Sequence, residues 1–282
     1  MNTPNKTRLP EFVQLSPHGE LLFELIKNLN VAFGFERSFK MQEKIFLPNR
    51  ILCSVGKLGI GSDHDKKIIE ICRRLNIPPD LLDFANESLT KANVIHFGYE
   101  DNESGSIYKT YFEYEARYRE QHDAASKTHR SIHLCSAIKW DINHPDRHTI
   151  TQYTVYPSLS RTQRLERMLA IYNDKNSTPL HIATKIFEMA SRTIEDEDIF
   201  YLEAKEETNP RTSFDINIYN AEFAMEKLQA LIMELADYYS LDKEAFTQFF
   251  TTIKTKTFGH LSSGIDRNGK DFFSIYYGVE GY

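Results

Sequence analysis

The 282-residue chain is poor in cysteine and in long apolar runs, and each shortage excludes a class of protein. Its three cysteines, Cys53, Cys72 and Cys135, are too few and too widely spaced for a disulfide framework or a zinc site. They are typical of free thiols in a reducing cytoplasm. No apolar stretch approaches the ~18 residues of a membrane helix, and no signal peptide opens the chain. We therefore expect a cytoplasmic protein with no membrane partner.

Neither sign of charge dominates. Lysine and arginine number 34 against 40 aspartates and glutamates, which gives a formal net charge of −6. A nucleic-acid-binding protein usually carries a clear positive excess to neutralise phosphates. The charge balance therefore predicts no nucleic-acid partner.

Several catalytic signatures are absent as well. The chain has no glycine-rich phosphate loop, no zinc-type Cys/His spacing and no G-x-S-x-G nucleophile elbow. It also lacks a D-D-x-x-D motif, which excludes the metal-clustered diphosphate chemistry of all-helical isoprenoid enzymes. The acidic run at 195–198 falls between a predicted helix and a predicted strand, and this position favours a solvated connection over a metal site.

Aromatic residues, in contrast, are plentiful at 12% of the chain. They fit an aromatic-rich core, and they also fit an aromatic-lined cavity.

The chain repeats pairs of strand-like runs, mostly separated by pairs of helical patterns. Residues 1–16 are predicted to be a flexible lead-in, and 17–282 a single domain. The predicted strands are 35–46, 50–57, 93–100, 106–118, 131–141, 148–157, 199–206, 212–219, 257–266 and 271–279. The predicted helices are 18–30, 63–75, 79–90, 161–172, 179–192, 220–239 and 242–254. Asn268-Gly269 predicts a tight hairpin between the last two strands, and Pro48-Asn49 predicts the break between the first two.

Ten strands in five hairpins either leave an open antiparallel sheet or close into a barrel. Alternation along the strands separates an apolar face from a face that mixes charged and aromatic side chains. In 106–118, for example, Tyr108 and Phe112 alternate with Lys109, Tyr111 and Glu113. We therefore predict an α+β fold, a closed ten-stranded antiparallel barrel with helices outside and a polar lumen. An open sheet whose polar face meets bulk water is the alternative.

Cations and phenols recur on the polar faces of these strands. They are Arg50, Lys109, Lys139, Lys205, Tyr111, Tyr153, Tyr219 and Tyr276. Each lysine alone would be an ordinary surface residue, but several cations inside a partly dry barrel need an anionic partner. A diphosphate would serve, since tyrosine hydroxyls can donate to its oxygens and aromatic faces can stabilise a nearby carbocation.

The order of these elements resembles the ABBA barrel of aromatic prenyltransferases. The segment 35–40, FERSFK, resembles an E-x-S-x-K strand of the branch that acts in cyanobactin peptide pathways, and Arg50 follows at the spacing of that branch's strand arginine. The stretches 82–84, 94–100 and 108–109 resemble the part that ends in a strand lysine, and 153–157 resembles the strand that closes the middle pair. At the residue level the resemblance covers about 18–110.

The resemblance implies an enzyme that transfers a dimethylallyl or geranyl group from its diphosphate to an electron-rich side chain of a cyclic peptide, as in the biosynthesis of ribosomal peptide products. The donor would ionise in the lumen, and the acceptor would attack the allyl cation. Glu36 would orient the acceptor or take its proton. Mg²⁺ would bind with the diphosphate, without a protein cage.

The site residues then divide by role. Arg50 and Lys109 follow from the resemblance as diphosphate ligands, and strand parity adds Lys139, Tyr153, Lys205, Tyr219 and Tyr276. Tyr111, His96 and Ser38 are expected in the pocket for the prenyl group and acceptor. Three alternatives stay open: Glu36 as a structural, salt-bridged carboxylate, a small indole or phenol as the acceptor, and a barrel that binds a ligand without catalysis.

Overall fold

The computed structural model describes residues 15–102, 105–128, 130–172 and 174–282. The predicted lead-in at 1–16 lies outside these residues, except at its end. There Leu15 is buried, and the side chain of Ser16 accepts a hydrogen bond from the Gly19 amide and so caps the first helix. Leu15 and Ser16 are therefore part of the folded domain.

The described residues form ten strands and eight α-helices. The strands are β1 (Phe33–Gln42), β2 (Ile45–Gly56), β3 (Val94–Glu100), β4 (Ile107–Glu113), β5 (Ile132–Asp141), β6 (His148–Val155), β7 (Phe200–Glu206), β8 (Thr212–Asn217), β9 (Phe258–Ile265) and β10 (Asp271–Gly281). The helices are α1 (Pro17–Lys27), α2 (His64–Arg74), α3 (Leu82–Lys91), α4 (Glu115–Thr128), α5 (Arg161–Ile171), α6 (Thr178–Ala190), α7 (Gln229–Tyr238) and α8 (Lys243–Ile253).

The sheet closes on itself, as predicted. Each strand pairs antiparallel with its neighbours in sequence, and β1 pairs with β10 to complete the barrel. Five hairpin turns lie at one end of the barrel, which we call the hairpin end. From the opposite end, the helix end, the chain leaves to form the surrounding helices. Because no strand edge is left open, the polar strand faces enclose a lumen instead of meeting bulk water, and the open-sheet alternative is wrong.

The helices cover the apolar outer face of the barrel. Two large clusters of buried apolar side chains fill the space between helices and strands, one around α5 to α8 and one around α1 to α3. Trp140, the single tryptophan, is fully buried in the second cluster, and its indole N–H donates to the Leu75 carbonyl at 3.0 Å. Among the described helices, none is long and apolar enough to cross a membrane.

Three local predictions are wrong. The helix predicted over 220–239 begins only at Gln229, because Ala224 forms a β-bridge with Thr257 before it. The first turn lies at residues 43–44, where Lys44 has a φ of 58°, and Pro48 lies inside β2. The strand tolerates the proline because the pairing of β1 with β2 shifts between Ser38 and Lys40, so Pro48 falls at a bulge. Helix α4 is absent from the prediction, because the predicted strand 106–118 extends into its first turn. The first turns of α4 also carry few apolar residues.

Candidate active site

The lumen contains a cavity of about 610 Å³ lined by residues of all ten strands. Its lining changes along the barrel axis. Lysine and arginine side chains concentrate toward the hairpin end, where they surround Glu100 and Glu206, whereas Glu36, His96 and His260 lie toward the helix end. The volume is within the ~300–1,000 Å³ range of pockets that hold small ligands.

One group of cations gathers around Glu100, the last residue of β3. Arg50 Nε donates to Glu100 Oε2 at 2.9 Å, and Lys109 Nζ donates to the same oxygen at 2.7 Å. Burial alone would raise the pKa of Glu100, but Lys109, Arg50 and Lys40 together lower it well below its usual value. Burial lowers the pKa of Lys109 to about 8, despite the opposing effect of Glu100. Glu100 is therefore an ionised carboxylate among three cations.

A second group gathers around Glu206, the last residue of β7. Arg211 Nη1 donates to Glu206 Oε1 at 2.8 Å, and Lys139 Nζ lies 3.5 Å from that oxygen. Arg267 Nη2 lies 3.5 Å from Glu206 Oε2. Burial would raise the pKa of Glu206, but Lys139 and Arg211 lower it to about 2. The two groups together place six cations around two buried carboxylates.

The two groups meet where Lys109 and Lys139 lie opposite each other in the β4–β5 pairing. Both lysine side chains are only 11% exposed. Like charges at directly opposed positions destabilise a sheet. Burial, Arg211 and Lys109 lower the pKa of Lys139 well below its usual value, with Glu206 opposing them. This part of the lumen is therefore suited to a bound anion.

Two buried donors in the same region have no hydrogen-bond partner among the residues that the structure describes. They are Arg50 Nη1 and Thr149 Oγ1, and both residues line the cavity. The third guanidinium nitrogen, Arg50 Nη2, lies 3.5 Å from the Tyr276 hydroxyl. Arg50 Nη1 is therefore a buried donor beside the lumen that the described residues leave unsatisfied, and a charged donor of this kind is a candidate partner for a bound phosphate.

Aromatic rings flank these cations. The Tyr111 and Tyr153 rings are 5.8 Å apart between centroids, and Lys139 Nζ lies 5.9 Å from the centre of the Tyr153 ring. On the other side of the lumen Arg50 lies 5.5 Å from the centre of the Tyr276 ring. Ring faces at this position can stabilise a cation that forms beside the anion.

Toward the helix end, Glu36 lies at the centre of a cluster that contains a tyrosine and a histidine instead of lysines and arginines. The Tyr219 hydroxyl donates to Glu36 Oε1, and His260 Nε2 lies 3.3 Å from Glu36 Oε2. His260 Nδ1 lies 2.9 Å from Asp215. Burial would lower the pKa of His260, but Asp215 and Glu36 raise it well above its usual value, which favours the charged imidazolium form. Glu36 is thus a carboxylate held by two donors inside the lumen.

The Tyr219 contact depends on a glycine. A Cβ added to Gly259 on β9 would collide with the Tyr219 ring. The absence of a side chain at Gly259 therefore allows Tyr219 to reach Glu36.

His96 lies on another part of the wall, nearer the helix end. Its Nδ1 is 2.7 Å from Ser54 Oγ, and its Nε2 is 2.7 Å from Glu113 Oε2. The three residues belong to the adjacent strands β2, β3 and β4. The two contacts fix the orientation of the imidazole in the pocket wall.

Most of the predicted site residues come together in this cavity. The lining includes Glu36, Arg50, His96, Lys109, Tyr111, Lys139, Tyr153, Tyr219 and Tyr276. Ser38 is buried on β1, opposite Arg50 in the β1–β2 pairing and Tyr276 in the β1–β10 pairing, but it does not line the cavity.

The position predicted for Lys205 is wrong. Its side chain is exposed, and the neighbouring Glu206 lines the lumen instead. On β7 the helix-facing side carries Tyr201 and Glu203, and Arg167 of α5 donates to Glu203 at 2.6 Å. The outer side of β7 is as polar as its inner side. The polarity of its residues therefore does not show which side faces the lumen.

Sequence reasoning missed several lumen residues. They are Lys40, Glu100, Glu206, Arg211, His260 and Arg267. Glu100 could have been found from strand parity, because it lies on the same face of β3 as Gly98 and His96, and His96 is a predicted pocket residue. The pairing of Glu36 with His260 had no comparable signal, because the two residues are 224 positions apart in the chain.

Comparisons with known proteins show a likeness in structure only. A scan of protein-family models finds no match to this chain. A search of curated proteins finds no similar sequence either.

Solved structures with the same barrel are numerous. One is AnaPT from Neosartorya fischeri, with 13% identity, a TM-score of 0.54 and coverage of 86% of this chain and 77% of that one. NotF prenyltransferase gives 10% identity, a TM-score of 0.54 and coverage of 86% and 80%. A 6-dimethylallyl tryptophan synthase gives 12% identity, a TM-score of 0.52 and coverage of 86% and 80%. The chain therefore shares its fold, a closed ten-stranded antiparallel barrel with helices outside, with these proteins.

Proposed function

We propose that this protein is a prenyltransferase. It binds a dimethylallyl or geranyl diphosphate in the lumen, where the carbon–oxygen bond ionises, and an electron-rich aromatic acceptor attacks the allyl cation. One observation carries the proposal: six buried or half-buried cations converge on two carboxylates beside an aromatic wall, with Arg50 Nη1 and Thr149 Oγ1 unpaired. Such a site neutralises a leaving diphosphate and stabilises the charge that develops on it.

The two halves of the lumen then have different tasks. Arg50, Lys109, Lys139 and Arg211 hold the diphosphate and keep the leaving group near the hairpin end. Tyr111 and Tyr153 flank the prenyl chain and exclude water from the allyl cation. Glu36 accepts a hydrogen bond from the acceptor and takes the proton released after the new bond forms. A carboxylate has about four acceptor sites, so the Tyr219 and His260 contacts leave room for the acceptor.

Mg²⁺ is also part of the proposal. Within the described residues no group of three His, Cys, Asp or Glu side chains is placed to hold a metal ion, and Glu100 and Glu206 are already paired with cations. A magnesium ion would therefore be bound through diphosphate oxygens and water. When bound, it would add positive charge to the leaving group. Donor affinity measured with Mg²⁺ and with EDTA tests this part.

The resemblance to the cyanobactin branch implies that the acceptor is a cyclic peptide. A cavity of about 610 Å³ admits the donor and one aromatic side chain, so the rest of a peptide would lie at the mouth of the lumen. We also propose that the protein works in the cytoplasm, since its three cysteines are buried and unpaired, as is usual in a reducing compartment.

A small aromatic acceptor is the second candidate. It is favoured by the fold neighbours, since one structure of NotF is a complex with brevianamide F and DMSPP, and another neighbour is a 6-dimethylallyl tryptophan synthase. In this case the whole acceptor would enter the lumen.

Donor binding and acceptor choice can be tested in sequence. Dimethylallyl or geranyl diphosphate at 100 times its Kd should stabilise the fold by about 2.7 kcal/mol. Turnover with free tryptophan or tyrosine, compared with cyclic peptides that contain them, then separates the two acceptor classes. Stabilisation without product for any acceptor would point to a barrel that binds a ligand without catalysis.

A further inference from the structure

Glu100 is an anion inside the site proposed for another anion. Its carboxylate lines the cavity and shares Oε2 with Arg50 and Lys109, the two most direct diphosphate ligands. Only 8% of the residue is exposed, so its charge is poorly screened by solvent. A bound diphosphate would therefore be repelled by this carboxylate at close range.

The hydrogen bonds to Glu100 do not use up the two cations. Arg50 donates through Nε and leaves Nη1 without a partner, while the Lys109 ammonium has three donors and gives one of them to Glu100. Both cations therefore keep donors that Glu100 does not use and that a phosphate could take. Glu100 holds these cations in place without filling the phosphate position.

We propose that Glu100 is a positioning residue that fixes Arg50 and Lys109 in the empty barrel and, through its negative charge, limits how tightly the lumen retains inorganic diphosphate. This inference rests on the proposed function. A site with six cations and no internal carboxylate would bind the leaving group tightly and release it slowly. The repulsion from Glu100 keeps the released diphosphate from blocking the next turnover.

The substitution Glu100→Gln isolates the charge from the contacts. Both hydrogen bonds end on one oxygen, so the amide oxygen of glutamine can accept from Arg50 and Lys109 in the same arrangement. Inorganic diphosphate is titrated into wild type and Glu100→Gln by calorimetry at pH 6, well below the Lys109 pKa of about 8, because loss of the Glu100 charge lowers that pKa further. We expect the variant to bind it about tenfold more tightly. Steady-state kinetics should show stronger inhibition by diphosphate and a lower kcat, without a rise in the KM of the donor.

Two matched variants complete the test. Glu113→Gln removes another lumen carboxylate, one that contacts His96 at the helix end, and should leave diphosphate affinity unchanged. Glu100→Asp keeps the charge and should bind diphosphate within about threefold of wild type, and it carries the test if Glu100→Gln does not fold. Unchanged or weaker binding by Glu100→Gln, or a loss of more than tenfold in Glu100→Asp, would overturn the inference alone. No binding of diphosphate to wild type would overturn the proposed donor site as well.

Discussion

Replacing Arg50 by alanine tests the anion site at a buried cation. Arg50 lines the lumen with a buried Nη1 that no described residue pairs, and its Nε donates to Glu100 at 2.9 Å. Each hydrogen bond to a charged group contributes about 1.5–3 kcal/mol, so loss of one such contact should weaken donor binding roughly 10- to 150-fold. In this variant Lys109 would still donate a hydrogen bond to Glu100, but the Arg50 bond would be lost. The less neutralised Glu100 would repel the diphosphate more strongly, so we expect the loss of donor affinity to be near the upper limit.

The assay is calorimetric titration of dimethylallyl diphosphate without acceptor. Lys205→Ala is the matched control, because Lys205 is an exposed cation on the outer face of β7 and should not change donor affinity. Melting temperatures confirm that the compared variants are folded. Unchanged donor affinity in both Arg50→Ala and Lys109→Ala would refute the placement of the diphosphate site.

Three further predictions concern the rest of the lumen. Glu36→Gln should keep donor affinity and lower turnover by ~10²–10⁴-fold for an acceptor that needs a general base, less for attack through a ring carbon. Normal turnover per folded molecule would make Glu36 a structural carboxylate. Donor affinity should fall as pH rises above about 8, because Lys109 is a cation only below its pKa of about 8 and an anion binds the cation. A flat titration profile from pH 7 to 9 would remove Lys109 from the site. Gly259→Ala should displace Tyr219 from Glu36 and reduce turnover, whereas Gly56→Ala, where a Cβ meets no atom within 4 Å, should be neutral. Equal turnover in these two variants would show that the Tyr219 contact is dispensable.

Much of the fold could be predicted from local signals. Hairpin turns such as Asn268-Gly269 and alternating strands require only neighbouring residues, and together they indicate antiparallel pairing and closure. The strand break predicted at Pro48-Asn49 is wrong because a bulge in β2 accommodates the proline. That bulge depends on the pairing of β1 with β2. Helix α4 was missed because its residues lack a broad apolar stripe.

The candidate site could be predicted less completely. Lys109 could be predicted because its strand alternates between apolar and polar residues, and Arg50 because its spacing resembles that of a strand arginine in the cyanobactin branch. Lys205 was misplaced because Glu203, on the same face, pairs with α5 and makes the outer side of β7 polar. The cluster of Glu36, Tyr219 and His260 joins three distant segments, and its formation depends on how strands meet across the closed barrel.

Product formation tests the central claim most directly. The protein is incubated with dimethylallyl or geranyl diphosphate and a panel of tryptophan, tyrosine and cyclic peptides that contain them, and the mixtures are analysed by mass spectrometry. We expect one acceptor class to gain a single prenyl group, with one inorganic diphosphate released for each product and with no product from heat-denatured protein. Donor that stays intact, or diphosphate released without any prenylated acceptor across the panel, would contradict the account.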